Sequence, residues 1–277
     1  MRARRWRTAL MGPPDTWALS REKVHMRTSK FHAQIVHDVF RTFSDDPWFD
    51  EHRTRIVDIL NTFASVNVGV GYIQGMNYLI FPLWRVYYEA SPEWAVEDTM
   101  ASLQSILHLT LRTYATRADD TRAFEYINTV VGVVRLRAMT LDPSTKVLFD
   151  REYTPFLQSM VSSMIPTLFA NALRIGSVML LWDQFFAASS RRKMFDRAVD
   201  TLVCLVVHHR NLFIHLSTVQ AMDIFERLYT HTLDQYVVRK TIQVHMPNVR
   251  LRQTPTASPA RDGRGQVTED YVWDGRR

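Results

Sequence analysis

Two short stretches carry the side chains best suited to chemistry. In IVHDVFRTF, Asp38 and Arg41 stand three residues apart, a spacing that makes a carboxylate and a guanidinium neighbours on a helix. Two readings fit that spacing. A surface ion pair on the polar side of the helix is worth about 0.2–0.5 kcal/mol. Alternatively, Asp38 orients a guanidinium whose planar fork must be held still to meet a negative charge on another molecule. In VGVGYIQGMN, residues 68–77, Gln74 follows Gly69 and Gly71 and precedes Gly75. It either caps the helix that follows or lies on bare backbone that another molecule approaches closely. Tyr72, two residues earlier, reads equally as a core aromatic or as a contact residue.

The glycine loop is not a dinucleotide fingerprint. Counting from Gly69 gives Gly71 and then Gln74, with the third glycine one place late at Gly75. Such a fingerprint also follows a strand, whereas Ile56, Leu60, Phe63 and Asn67 recur at helical spacing before this loop. No glycine precedes a Lys-Ser or Lys-Thr pair, so a Walker A loop is excluded as well. HExxH and G-x-S-x-G are absent too. The adjacent His208 and His209 read as the end of a helix rather than as metal ligands.

The elements that must position these residues are helices. Period-two alternation is scarce, and helical periodicity recurs along the chain. Phe31, Ile35, Val36, Val39 and Phe40 form one half of a wheel with Ser29 as N-cap, and Gln34, His37, Asp38 and Arg41 form the other. MNYLIFPLWRVYY reads as a helix interrupted by Pro82. Further helices are predicted around Val96, Met100, Leu103, Leu107, Leu111 and Tyr114, and through Phe124, Ile127, Val130, Val131 and Val134. Another starts at Asp142–Pro143. IGSVMLLWDQFF, MFDRAVDTLVCLVVHH and AMDIFERLYTHTLDQYVVRK complete the series. The predicted class is all-α.

Charge and cysteine content narrow the function classes. The net charge of +6 sits at the ends: four arginines and no acid in residues 1–8, and six arginines against four acids in residues 249–277. The body between is balanced, which does not indicate a nucleic-acid-binding face and points to protein partners. The single cysteine, Cys204, lies in the apolar run LVCLVV and reads as a buried thiol in a reducing compartment. The basic opening lacks a continuous apolar run, and no window has the length of a membrane span, so a cytoplasmic chain is expected. From about Pro247 the composition turns to Pro, Gly, Thr and Arg, and residues 249–277 read as a flexible tail after a domain over residues 1–248.

Taken together, IVHDVFRTF and GYIQGMN resemble the two signature motifs of the TBC-type Rab GTPase-activating proteins, I-x-x-D-x-x-R and Y-x-Q-G-M, in this order and at about this separation. Ile35, Asp38 and Arg41 fill the first, and Tyr72, Gln74, Gly75 and Met76 fill the second. SVMLLWDQFF is similar to the family's later segment ending in Trp-Asp, here Trp182 and Asp183, and RRWRTALMG to its opening arginine and tryptophan segment. One departure stands upstream of Trp182: Leu168 and Phe169 keep the family's Leu-Phe pair, but Met164 and Ile165 occupy its aromatic places.

The resemblance implies a partner, a Rab-family small GTPase in its GTP form. Arg41 would place positive charge on the phosphoryl transition state, and Gln74 would orient the attacking water in place of the GTPase's own glutamine. Asp38 would hold Arg41, Gly75 would let the loop approach the nucleotide, and Tyr72 and Met76 would support the site or touch the partner. The chain would need no cofactor of its own, because Mg²⁺ and GTP come with the GTPase. The role implied is regulation of vesicle trafficking, from the cytoplasm and peripherally on endomembranes through the partner. The alternative is an inactive member that binds a GTPase or scaffolds other proteins, and the intact Arg41 and Gln74 weigh against it.

Overall fold

The computed structural model describes residues 1–13, 23–110, 121–149, 154–188 and 190–214, together with Gln243. Its elements are helices, and no strand occurs among the described residues: α1 (Arg2–Met11), α2 (His32–Arg41), α3 (Pro47–Asp50), α4 (Arg53–Val66), α5 (Met76–Ala90), α6 (Ala95–Thr110), α7 (Thr121–Leu141), α8 (Lys146–Phe149), α9 (Thr154–Met164), α10 (Ile175–Phe186) and α11 (Arg191–Ile214). The all-α reading therefore holds. The predicted helix AMDIFERLYTHTLDQYVVRK, Leu111, Tyr114 and the tail 249–277 lie outside the described residues. Among the described residues no helix is long and apolar enough to cross a membrane.

Helix α5 is the axis of the arrangement, in contact with α1, α2, α4, α6 and α10. Its sequence explains this position. Met76, Leu79, Ile80, Phe81, Leu83, Trp84, Val86 and Tyr87 are all buried, so the helix is apolar around most of its circumference, as a central helix must be. Pro82 lies within it, and the helix runs past it to Ala90. Helices α2 and α4 cover one side, while α7, α9 and α11 form the second half of the core.

Helix α1 joins the two halves, and it does so with polar as well as apolar contacts. Trp6, fully buried, lies 5.6 Å from the ring of Trp182 and 5.2 Å from that of Phe186. Its indole Nε1–H donates to Asp183 at 2.8 Å. Arg2 grips the same carboxylate through Nε and Nη2, at 3.0 and 2.9 Å. The opening Arg-Trp segment and the later Trp-Asp pair are thus one joint. A second joint pairs Arg7 with the fully buried Asp98 at 2.6 Å, with the guanidinium 5.2 Å from the ring centre of Tyr87. Burial raises the pKa of that Tyr87 phenol well above its ordinary value.

These joints correct several expectations. Helix α6 turns Ala95, Asp98, Thr99, Ser102, Leu103, Ile106 and Leu107 inward, whereas Val96 and Met100 are only partly buried. The buried face was rotated because Arg7 arrives from α1 to answer Asp98. Ser29 is not an N-cap: its hydroxyl donates to Asn61 at 2.9 Å, and α2 begins after Phe31 with no side-chain cap. Helix α11 continues to Ile214, so His208 and His209 lie inside it rather than at its end. Asp142 does cap, accepting from Ser144 N–H at 2.9 Å with Pro143 next, and Cys204 is buried.

The departure around Leu168 has a structural answer. Met164 and Ile165 are as buried as the aromatic residues they replace would need to be, at 1% and 0% exposure. Leu168 and Phe169 both adopt left-handed backbone, with φ of 47° and 67°, a costly conformation for branched or aromatic residues. The Trp182 indole donating to the Leu168 carbonyl at 2.9 Å, and full burial of both side chains, hold it.

Because Asp183 satisfies Arg2 and the buried indole of Trp6 together, Asp183→Ala is expected to destabilise the protein by about 2–3 kcal/mol. A shift of the denaturant midpoint measures it, and an unchanged midpoint would mean that α1 is held by its apolar face alone.

Candidate functional site

Helix α2 carries Asp38 and Arg41, and the turn before α5 carries Gln74. Asp38 is 2% exposed, so the pair is not the surface pair that the wheel suggests. The Arg41 side chain, 2.8 Å from the Asp38 carboxylate, remains 48% exposed. One edge of the guanidinium is therefore anchored while the rest faces solvent. The wheel misplaced Asp38 because three residues turn a helix by about 300°, which sets it beside Ile35. Phe40, assigned to the buried half, is instead 54% exposed.

The cover over Asp38 comes from the loop. Tyr72 is 5% exposed, and its hydroxyl donates to Asp38 Oδ2 at 2.8 Å. Tyr72 is thus a core aromatic whose polar end crosses between the two motifs. Asn77 carries the connection onward: its Oδ1 accepts from Gly75 N–H at 2.9 Å and its Nδ2 donates to Thr42 Oγ1 at 2.7 Å. Thr42 in turn donates its own proton to the Asp38 carbonyl at 2.6 Å. The Tyr72 hydroxyl also lies 3.3 Å from Asn77 Oδ1, so that oxygen faces two donors while Asn77 Nδ2 faces the Thr42 hydroxyl, which fixes the orientation of the Asn77 amide.

Gln74 sits where that network needs a turn. Met76 N–H donates to the Ile73 carbonyl at 3.1 Å, closing a four-residue turn with Gln74 and Gly75 at its centre. Gly75 has φ 110° and ψ −24°, the glycine place of a type II turn. The turn leaves Gln74 exposed at its outer corner. It does not cap α5: Gly75 is the N-cap, no side chain bonds there as a cap, and Asn77 takes the Gly75 N–H.

Two further residues fix the approach to this turn. Gly71 has φ +65°, and a Cβ there would stand 2.8 Å from the Phe31 ring, so the loop closes on α2 only with glycine. Arg53 is 4% exposed and donates to the carbonyls of Val39 and Thr42 at 2.7 and 2.8 Å. It thereby caps the end of α2 from which Arg41 projects.

All six expected residues therefore converge on one network, divided by exposure. Arg41 and Gln74 are presented to solvent, whereas Asp38, Tyr72, Gly75 and Met76 are buried beneath them. Sequence reasoning missed Asn77, Thr42, Arg53 and Gly71 as members. Asn77 had a readable signal, a short amide two residues into a helix that opens on glycine. Among the described residues no group of three side chains gathers in the manner of a metal site.

The division yields a stability contrast. Asn77→Ala strands the buried Gly75 N–H and removes the donor to Thr42 Oγ1, and is expected to cost about 2–3 kcal/mol, whereas Gln74→Ala should stay within about 0.5 kcal/mol of wild type. Chemical denaturation of both variants checks this, and equal midpoints would contradict the network.

The fold is similar to the crystal structure of the Ypt/Rab-GAP domain of Gyp1p, with TM-score 0.58 and 15% identity over 88% of this chain and 80% of that one. A Chlamydomonas flagellar RabGAP TBC domain gives TM-score 0.46 and 18% identity over 77% of this chain and 67% of that one. At such identities the likeness to Gyp1p speaks for the fold. No curated protein sequence matches the chain. The Rab-GTPase-TBC domain family matches residues 14–213, a stretch that includes both motifs and the Trp182–Asp183 pair, and the chain belongs to that RabGAP-TBC family.

Proposed function

We propose that the protein accelerates GTP hydrolysis on a Rab-like small GTPase by supplying Arg41 and Gln74 in trans. The observation that carries this reading is the half-exposed guanidinium of Arg41 anchored on a buried carboxylate, tied through Tyr72 to the turn that presents Gln74. GTP hydrolysis calls for little covalent chemistry from the protein. It needs a positioned water and positive charge where the phosphoryl oxygens accumulate negative charge. A guanidinium serves best when its rotamers are already restricted, because ordering a long side chain during the reaction costs free energy.

The roles divide accordingly. Arg41 meets the β- and γ-phosphate region of the bound nucleotide, and the Gln74 amide orients the attacking water. Asp38 and Tyr72 act through Arg41 and are positioning residues. Gly75 keeps the turn free of a side chain where the GTPase approaches, and Phe40 offers an exposed apolar contact beside the finger. Mg²⁺ and GTP arrive with the GTPase, so the chain requires no cofactor of its own. Acting on a membrane-associated GTPase would bring the protein peripherally to endomembranes from the cytoplasm, where ending the GTP state regulates vesicle trafficking.

An arginine finger is worth about 10³–10⁵ in rate. Arg41→Ala is expected to lower the melting temperature, because it leaves the buried Asp38 carboxylate without its counter-charge, and, on protein shown by circular dichroism to be folded at the assay temperature, to lose stimulation across a panel of small GTPases by about that factor. Arg41→Lys should recover little, since a point charge does not reproduce the fork. Near-normal stimulation by Arg41→Ala of a GTPase that the wild type activates would overturn the reading.

A further inference from the structure

The turn after the finger helix presents a serine hydroxyl to solvent. Helix α2 ends at Arg41, and residues 42–46 lead from it to α3. Phe43 anchors this turn: its backbone is left-handed, with φ 46°, and its ring lies 5.8, 6.1 and 5.5 Å from those of Phe49, Tyr78 and Phe81. That backbone is costly for phenylalanine. The ring contacts and the bond from Arg53 to the Phe43 carbonyl hold it and so fix the shape of the turn. Ser44 and Asp45, which follow, are exposed at its tip.

The cations around this turn differ in what they have left to give. Arg53 donates to Asp50 and to the carbonyls of Val39, Thr42 and Phe43, and Arg85 is divided between Asp46 and Glu89. Arg41 is anchored on Asp38 yet 48% exposed, so its guanidinium keeps an open edge. Ser44 lies three residues beyond it. Consecutive Cα atoms are about 3.8 Å apart, so the two stand within about 11 Å of each other, a gap that an arginine and a phosphorylated serine close from both ends. A guanidinium suited to phosphoryl oxygens on a partner is equally suited to a phosphate on its own chain. Asp45 and Asp46 follow Ser44 directly, and such an acidic flank complements a kinase whose substrate groove is basic.

We infer that Ser44 is a phosphorylation site and that its phosphate switches the protein off by engaging Arg41 in cis. The inhibitory part rests on the proposed role of Arg41 as the finger. In the modifying step Ser44 Oγ attacks the γ-phosphorus of ATP held by an acid-directed serine kinase. The new O–P bond replaces the bond to the β-phosphate oxygen, ADP leaves, and the hydroxyl proton passes to the kinase's catalytic carboxylate. The product carries a charge of about −1.5 to −2 and three strong acceptor oxygens. These oxygens pair with the open edge of the Arg41 guanidinium, and their charge repels the triphosphate that the finger would otherwise meet.

Incubating the full chain with an acid-directed serine kinase and ATP should place a phosphate on Ser44, mapped by tandem mass spectrometry and prevented by Ser44→Ala. The phosphorus resonance of phosphorylated Ser44 should then titrate below its ordinary value of about 6 in the folded protein. It should return toward that value in urea and in Arg41→Gln, and stay low in Arg85→Gln. If Arg41→Gln does not fold, the urea comparison and Arg85→Gln decide. Stimulation of a GTPase that the unmodified protein activates should fall about tenfold or more and recover on phosphatase treatment. Failure of Ser44 to accept phosphate, the same titration folded and unfolded, or undiminished stimulation after stoichiometric modification would overturn the inference while leaving the two-finger reading intact. That reading fails separately if the unmodified protein stimulates no GTPase of the panel, and the phosphorus titration still decides the contact between Ser44 and Arg41.

Discussion

A carboxylate with 2% exposure has to be met by donors and cations on every open side, because an unpaired buried charge costs several kcal/mol. Asp38 is such a group, and much of the site is the set of answers to it. Arg41 supplies the counter-charge and Tyr72 the hydroxyl. Satisfying Asp38 from two directions forces the end of α2 and the loop before α5 into one register. The same contact that stabilises the carboxylate limits the motion of the guanidinium, so a requirement of folding and the requirement that the proposed mechanism places on Arg41 are met by one interaction.

The remainder of the fold keeps that register from drifting. Arg53 binds the last carbonyls of α2 from the first turn of α4. Asn77 ties the first turn of α5 to Thr42, and Gly71 permits the Phe31 ring to lie against the loop. Helix α5 then carries the arrangement into the core, where α1 and α10 touch it from the other side. The joint of Arg2, Trp6 and Asp183 lies on other elements than Arg41 and Gln74, yet it closes the two halves that α5 connects. The exposed Arg41 and Gln74 rest on a framework of buried polar pairs around one apolar helix.

The helical class and the presence of both motifs were legible because they depend on local periodicity and on residue identity. What periodicity misjudged shares one cause. Asp38 on α2 and Asp98 on α6 are both buried acids, and a wheel assigns an acid to the solvent side. Their partners, Tyr72 and Arg7, lie 34 and 91 residues away in sequence, beyond the reach of any local pattern. The same distance hid the meeting of the Arg-Trp and Trp-Asp segments, which read separately as resemblances and fold into one contact. Ser29 failed as a cap for a related reason: its hydroxyl donates to the Asn61 amide 32 residues away and accepts the Phe31 N–H, one residue ahead of the helix.

The proposed function gives the water-orienting task to Gln74 rather than to the GTPase. Most direct is single-turnover phosphate release from a cognate GTPase whose own switch glutamine is replaced by leucine. If Gln74 orients the water, wild-type protein still stimulates that GTPase substantially and Gln74→Ala removes the stimulation, while binding to the GTP-loaded ground state barely changes. No stimulation of the leucine-bearing GTPase by wild-type protein, or full stimulation by Gln74→Ala, would contradict the two-finger arrangement.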